Sequence, residues 1–182
     1  MNGEMLPLLN GYPLRLVVPG WFATYWIKML SDIEVLTVDA DDSYFMAKSY
    51  RMPTVPVKPG DKDFPTVPIT TMGPRSWVTS HSDGAEVKHG ELIQLRGIAI
   101  GGDAGVKSIS LTGFLPQDVK LEGPSERYGF RRWTAAVRAV GVDLTIAVRC
   151  TNTNGVTQPD AQAWNPSGYA RNVVERITLN VV

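Results

Sequence analysis

The sequence predicts a mainly β protein, a β-sandwich preceded by a smaller α+β segment. Three observations carry this. Five stretches in the C-terminal part of the chain alternate apolar and polar residues with a period of two. Gly, Asn or Asp punctuates those stretches at short intervals. A proline-rich segment separates them from an N-terminal piece that is aromatic and differently patterned.

In chain order, the first element is Arg15–Val18 of NGYPLRLVVPGW, read as a strand ended by Pro19-Gly20. WFATYWIKML follows, with Phe22, Tyr25, Trp26, Met29 and Leu30 at spacings of three and four, which predicts a short helix. Ile33, Val35 and Leu36 suggest another strand, and DDSYFMAKSYRMP can support one helical turn. From Met52, five prolines in 17 residues predict an extended segment with little regular structure. The domain limits are therefore placed at 1–52, a linker over 53–68, and a strand-rich domain over 69–182. In that domain ELIQLRGIAIGG, VKSISLTGF, RRWTAAVRAVG, VDLTIAVRCTNTNG and NVVERITLNVV read as strands. Short strands with turn signals every ~8–12 residues point to an antiparallel sandwich of the immunoglobulin-like kind. Cys150 lies on one of these strands and reads as a small buried hydrophobe.

Composition narrows the function classes. Lys+Arg and Asp+Glu both number 18, giving zero formal net charge, so no basic excess points to nucleic acid or an anionic membrane surface. No apolar run approaches the roughly 20 residues of a membrane helix. The N-terminus, with Glu4 and no basic region, does not read as a signal peptide. A single cysteine excludes an intrachain disulfide and a zinc site of paired thiolates.

The common catalytic signatures are missing from the sequence: GxSxG, HExxH, CxxC, a Walker A loop, GxGxxG. His81 and His89 fall in a polar stretch with Asp83 and Glu86, and read as solvated residues rather than a metal pair. Arg15 and Lys28 are sparse cations beside buried-looking elements. A charge there needs a counter-charge or an anionic ligand. A planar guanidinium and a point-charge ammonium could clamp an anionic cofactor, or could pair with Glu4, Asp32 or Glu34. A second basic cluster comprises Arg127, Arg131, Arg132 and Arg138. In a strand Arg131 and Arg132 point to opposite faces, so one could face a neighbouring domain, the alternative being solvated edge-strand arginines.

MNGEMLP, NGYPLRLVVPGW and WIKML together resemble the end of the molybdopterin-binding domain of the sulfite oxidase family, with its NGE-L, G-PLR-VVPG and VKWL elements. The tail QPDAQAWNPSGYARNVVERITLNVV resembles the close of that family's immunoglobulin-like dimerisation domain, with its QP … WN–GY–N pattern. The order matches, and the resemblance covers nearly the whole chain. It implies that 1–52 is the C-terminal part of a molybdopterin-binding domain and 69–182 a molybdenum-cofactor dimerisation domain, with the molybdenum-ligating cysteine upstream. Cys150 does not match that ligand. Arg15 matches the molybdopterin-binding arginine of the PLR element. Lys28 matches the lysine of VKWL, and Trp26 and Ile27 fill the two positions before it, which contribute partly through backbone groups. Asn10 falls where many relatives carry a histidine, and Met29 where they carry a tryptophan. Arg131 or Arg132 is implied to reach the substrate oxyanion. The implied chemistry is oxygen-atom transfer to sulfite or a related sulfur oxyanion at a Mo-molybdopterin shared with an upstream region. A homodimer, an upstream molybdopterin-domain polypeptide, a c-type cytochrome acceptor and a periplasmic location are implied with it. The alternative is a non-catalytic β-sandwich module for dimerisation or binding.

Overall fold

A computed structural model describes residues 3–40, 43–113 and 118–182. The chain divides into two compact units, Met1–Met72 with Ala163–Ala170, and Gly73–Gln162 with Arg171–Val182.

The first unit has little regular structure. It holds single 3-10 turns at Leu8–Asn10 and Ala23–Tyr25, and one π-helical turn at Tyr44–Lys48. Ser43 Oγ accepts from Met46 N at 3.3 Å and caps that last turn. Asp41 and Asp42 of the same stretch lie outside the described residues. The helix expected over 22–30 does not form. Its backbone leaves helical geometry at Trp26 (φ −91°, ψ 83°) and turns left-handed at Met29 (φ 52°). Leu16 N instead donates to Ile27 O, and Leu30 N to Leu14 O, both at 2.9 Å. Aromatic and β-branched residues are weak helix formers, so a nine-residue helix loses to these cross-links between 14–16 and 27–30. Arg15–Val18 is accordingly not a ladder strand, and neither is 33–36. The proline-rich segment is fastened at both ends, because β1 (Arg51–Pro53) pairs antiparallel with β2 (Thr66–Pro68). Arg51 reinforces the pair, with Nε donating to Thr66 Oγ1 at 2.8 Å and Nη2 to Thr66 O at 2.6 Å.

The second unit is a β-sandwich of eight strands: β3 (Arg75–Val78), β4 (Glu86–Val87), β5 (Leu92–Ile100), β6 (Val106–Thr112), β7 (Lys120–Leu121), β8 (Phe130–Arg138), β9 (Asp143–Asn152) and β10 (Glu175–Val181). One sheet runs β3-β5-β8-β7 and the other β4-β10-β9-β6. All five strands expected from alternation are present, and the alternation sets which residues are buried. Ile93, Leu95 and Ala99 of β5, Trp133, Ala135 and Val137 of β8, and Leu144, Ile146, Val148 and Cys150 of β9 form the core with Leu179 of β10. Trp133 is fully buried, its indole N–H donating to Ser76 Oγ at 2.9 Å while Ser76 donates to Ile98 O at 3.1 Å. The sandwich is not wholly antiparallel: β4 pairs with β10 in parallel. The chain crosses from β3 to the opposite sheet before β5, and it runs beside β10 in the same direction. Asp83 anchors that crossing by accepting from Thr178 N at 2.7 Å. Among the described residues no helix is long and apolar enough to cross a membrane.

Candidate cofactor site

The tight turn at Leu8–Asn10 ends in Gly11, whose φ of 111° suits glycine. A Cβ at Gly11 would also meet Lys28 Cα at 3.1 Å, so the two segments touch backbone to backbone. This approach brings Asn10, Arg15, Trp26, Ile27 and Lys28 together. Arg15 is half-buried, its guanidinium 5.9 Å from the centroid of the Trp26 ring. Trp26 is fixed in turn by its indole N–H, which donates to Val18 O at 2.9 Å. Arg15 Nη1 donates to Asn10 O at 3.3 Å, so Asn10 acts here through its carbonyl. Arg15 Nε is buried with no hydrogen-bond partner among the described residues. Lys28 Nζ donates to Leu9 O at 2.8 Å on the exposed side. Ile27 O is taken by Leu16 N, whereas the Ile27 and Lys28 N–H groups have no backbone acceptor among the described residues. Neither Arg15 nor Lys28 forms an ion pair with a carboxylate among the described residues.

Two buried polar atoms nearby in sequence carried no signal of their own. Thr24 Oγ1 and Tyr25 OH have no hydrogen-bond partner among the described residues. Burial pushes the Tyr25 phenol above its usual range, with the Arg51 charge acting in the opposite direction. Tyr25 packs edge to face on Trp21 at 5.3 Å, so the period that suggested a helix reports aromatic packing in a turn.

Arg131 and Arg132 belong to the second unit and do point to opposite faces. Arg131 turns inward at one end of the sandwich, where Nη1 donates to Val106 O at 3.1 Å and Nε to Glu122 O at 3.4 Å. Arg127 joins that end, with Nε donating to Asp103 O at 2.7 Å. Arg132 is exposed beside a shallow hollow lined by Thr79, Arg96, Glu122 and Thr134. Neither arginine sits on an edge strand, since β8 lies between β5 and β7. Arg138 donates to Gly90 O at 2.8 Å. His81 Nδ1 lies 2.8 Å from Ser80 Oγ, and His89 is exposed. Among the described residues no three of His, Cys, Asp and Glu converge as metal ligands would. Cys150 is buried, which pushes its thiol up to about 12, with a backbone hydrogen bond at Arg75 opposing.

The tail residues are structural. Gln158, fully buried, accepts from Cys150 N at 2.9 Å and donates to Asn172 O and Val173 O at 3.1 and 3.2 Å. Asn165 closes its own turn, donating to Tyr169 O and accepting from Tyr169 N.

Residues 1–45 match the protein family described as Oxidoreductase molybdopterin binding domain. All of the chain aligns with mitochondrial sulfite oxidase of Rattus norvegicus at 32% identity, covering 35% of that protein. It aligns with the Homo sapiens enzyme at 31% over the same 35%. The NADH nitrate reductase of Solanum lycopersicum aligns at 28% over 99% of the chain and 22% of its own length. The chain thus spans about a third of the length of the sulfite oxidases it matches. In fold it is similar to the sulfane dehydrogenase SoxCD of Paracoccus pantotrophus, with a TM-score of 0.78 at 21% identity, covering all of this chain and 49% of that one. An N-terminal stretch matching a molybdopterin-binding domain lies within a chain that sulfite oxidase homologues cover from end to end.

Proposed function

We propose that this chain supplies cofactor contacts and a dimer interface to a molybdenum oxidoreductase that transfers an oxygen atom to sulfite or a related sulfur oxyanion. The observation that carries this is the Arg15 guanidinium, half-buried against Trp26 with an unmet Nε donor and no carboxylate partner among the described residues. The residues fit an anionic pterin cofactor. Arg15 offers a planar donor fork suited to phosphate, and Lys28 adds a point charge. The N–H groups of Ile27 and Lys28 extend the same donor surface. Trp26 holds the arginine in place, so little of its orientation has to be ordered on binding. When bound, Mo-molybdopterin supplies the redox chemistry, and this chain's share is positioning and electrostatics. Arg131 and Arg132 are the proposed oxyanion contacts. Arg131 suits the role better, because its Nη2 is not used by the carbonyls that orient its other nitrogens. A homodimer, a c-type cytochrome acceptor and a periplasmic location complete the proposal, as does an immunoglobulin-like identity for the sandwich. The strand order β3-β5-β8-β7 against β6, β9 and β10 supports that identity, being the order of a constant-type immunoglobulin domain. The domain limits proposed are 1–52, 53–68 and 69–182.

The test is native mass spectrometry with molybdenum quantified, on the chain alone and co-expressed with any open reading frame found upstream. Molybdenum is expected only in the co-expressed complex. Arg15→Gln should lower its occupancy about tenfold, as loss of one charge-assisted contact predicts. A metal-free dimer indifferent to the upstream product would leave a non-catalytic dimerisation module. That second reading is favoured by one observation: the sandwich encloses its own core, all of whose members lie in the second unit.

A further inference from the structure

We infer that the outer face of the sheet β3-β5-β8-β7 carries a small-anion site, where Arg96 and Arg132 hold an oxyanion that keeps a proton, of the hydrogen phosphate kind. The inference goes beyond the proposed function. Arg132 lies on the face of β8 opposite Arg131, so an anion held here is a second one. Register builds the site. Arg96 stands opposite Thr134, and Ile98 opposite Arg132, across the β5–β8 ladder. The two arginines are therefore diagonal neighbours, roughly 7–8 Å apart along the sheet. Leu95, Gly97 and Trp133 beside them are buried, so both side chains point outward. Between them lies a hollow of about 280 Å³, which Thr79, Ile98, Thr134 and Glu122 also line. That leaves room for an oxyanion with several waters at ~30 Å³ each.

The polar side chains of this hollow are unused. Every other arginine of the second unit donates to a carbonyl or a carboxylate. The Arg96 and Arg132 guanidinium groups do neither among the described residues, and the two left over are neighbours. The Thr134 hydroxyl and the Glu122 carboxylate also lack partners among the described residues. Two planar donor forks on one face fit a tetrahedral oxyanion, and a hydroxyl adds a third donor. Lys120 and Asp118 share the neighbouring hollow, where their charges offset. Glu122 selects the anion. It stands beside Arg132, its N–H donating to Arg132 O at 2.9 Å. A carboxylate only accepts, so it repels an anion without a proton and takes a hydrogen bond from one that has an O–H. Sulfate has no such proton at neutral pH, and a phosphate monoester, whose second pKa is ~6, has mostly lost its own. Hydrogen phosphate keeps one. An exposed Arg132–Glu122 pair would be worth too little to keep the anion out.

Nuclear magnetic resonance titration of the full chain with inorganic phosphate and with sulfate, at constant ionic strength near neutral pH, tests this. Phosphate should give saturable shifts at the Arg96 and Arg132 Nε–H groups and the Thr134 amide. The expected Kd is on the order of 1 mM, as two charge-assisted contacts on an open face predict. Sulfate should bind at least tenfold more weakly. Arg96→Gln and Arg132→Gln should each weaken phosphate about tenfold, and Glu122→Gln should bring sulfate within about twofold of phosphate. All three positions are exposed, so Tm should stay within about 2 °C of wild type. Arg15→Gln should leave phosphate binding unchanged, which separates this site from the proposed function. Shifts that only grow linearly and equally with both anions mean charge screening and overturn the inference. Sulfate bound as tightly as phosphate overturns it too, as do shifts centred on Arg15 and Lys28.

Discussion

Gly97→Ala sets two effects of opposite sign against each other, and the geometry decides between them. Gly97 sits mid-strand on β5 with a backbone that alanine can adopt. Entropy alone would make the alanine more stable by about 0.5–1 kcal/mol. The space is taken, however. A Cβ at Gly97 would lie 2.2 Å from Trp133 Cε2 and Cζ2, and 2.2 Å from Trp77 O. Ordinary contact begins near ~3.4 Å, so neighbours on two sides must each yield by about 1 Å. Neither can do so cheaply. Trp77 O belongs to the β3–β5 ladder, and Trp133 is fully buried and hydrogen-bonded to Ser76. Overpacking costs about 1–3 kcal/mol and occasionally more, so the net effect should be a loss of about 3 kcal/mol. In a chain of this length that lowers Tm by roughly 6–12 °C. Scanning calorimetry with near-ultraviolet circular dichroism reads both the midpoint and the indole environment. Combining Gly97→Ala with Trp133→Leu should cost less than the sum of the two, with a coupling above ~1 kcal/mol. A Gly97→Ala protein with Tm within about 2 °C of wild type would refute the steric argument.

Three further outcomes follow from the same contacts. Gln158→Leu strands the Cys150 N–H and two carbonyls inside the fold and should destabilise by about 3–5 kcal/mol in urea unfolding, whereas a surface change would cost under ~0.5. Burial acts to raise the Glu175 carboxyl, but hydrogen bonds and charge from Arg171 and Arg75 outweigh it and hold it below its ordinary value. The stability it gives is therefore present above the unfolded carboxyl's value near ~4.3 and is lost as pH falls through the lower folded one. Glu175→Gln should flatten that acid limb and cost on the order of 1 kcal/mol at pH 7, measured as Tm against pH. Cys150, with its thiol raised to about 12, should ignore a thiol reagent at pH 8 until the chain unfolds. Its contribution to stability is whole below ~8.5 and declines as pH rises toward about 12. Labelling of the native chain at the rate of a free thiol would contradict the burial.

The sandwich was legible because its signal is local. A strand with one face in the core must alternate, and the long strands do so in their own sequence, β6 losing step only at the bulge between Val106 and Ser108. The short strands β1, β2, β3, β4 and β7 were not legible. Two to four residues carry no period, and they pair only because neighbours hold them in register. Alternation also could not give the direction of β4, which the path of the crossing determines.

The N-terminal motif shows the other limit. Arg15, Trp26 and Lys28 were identifiable as residue types at positions, and the resemblance gave them a role. Their convergence depends on Gly11 lying against Lys28 and on 14–16 bonding to 27–30, contacts between segments more than ten residues apart. The same contacts cancelled the expected helix, because spacings of three and four record which side chains pack together and not which backbone carries them. Asn10 and Gln158 extend the lesson, since the sequence named them without saying that one acts through its carbonyl and the other holds three backbone groups. The sequence by itself determined the β class, the five long strands and the family motifs, each written in consecutive residues. Tertiary structure alone decided which cations stand beside which aromatic rings, which donors lack partners, and which apolar stretch lies uncovered, because those are properties of distance in space.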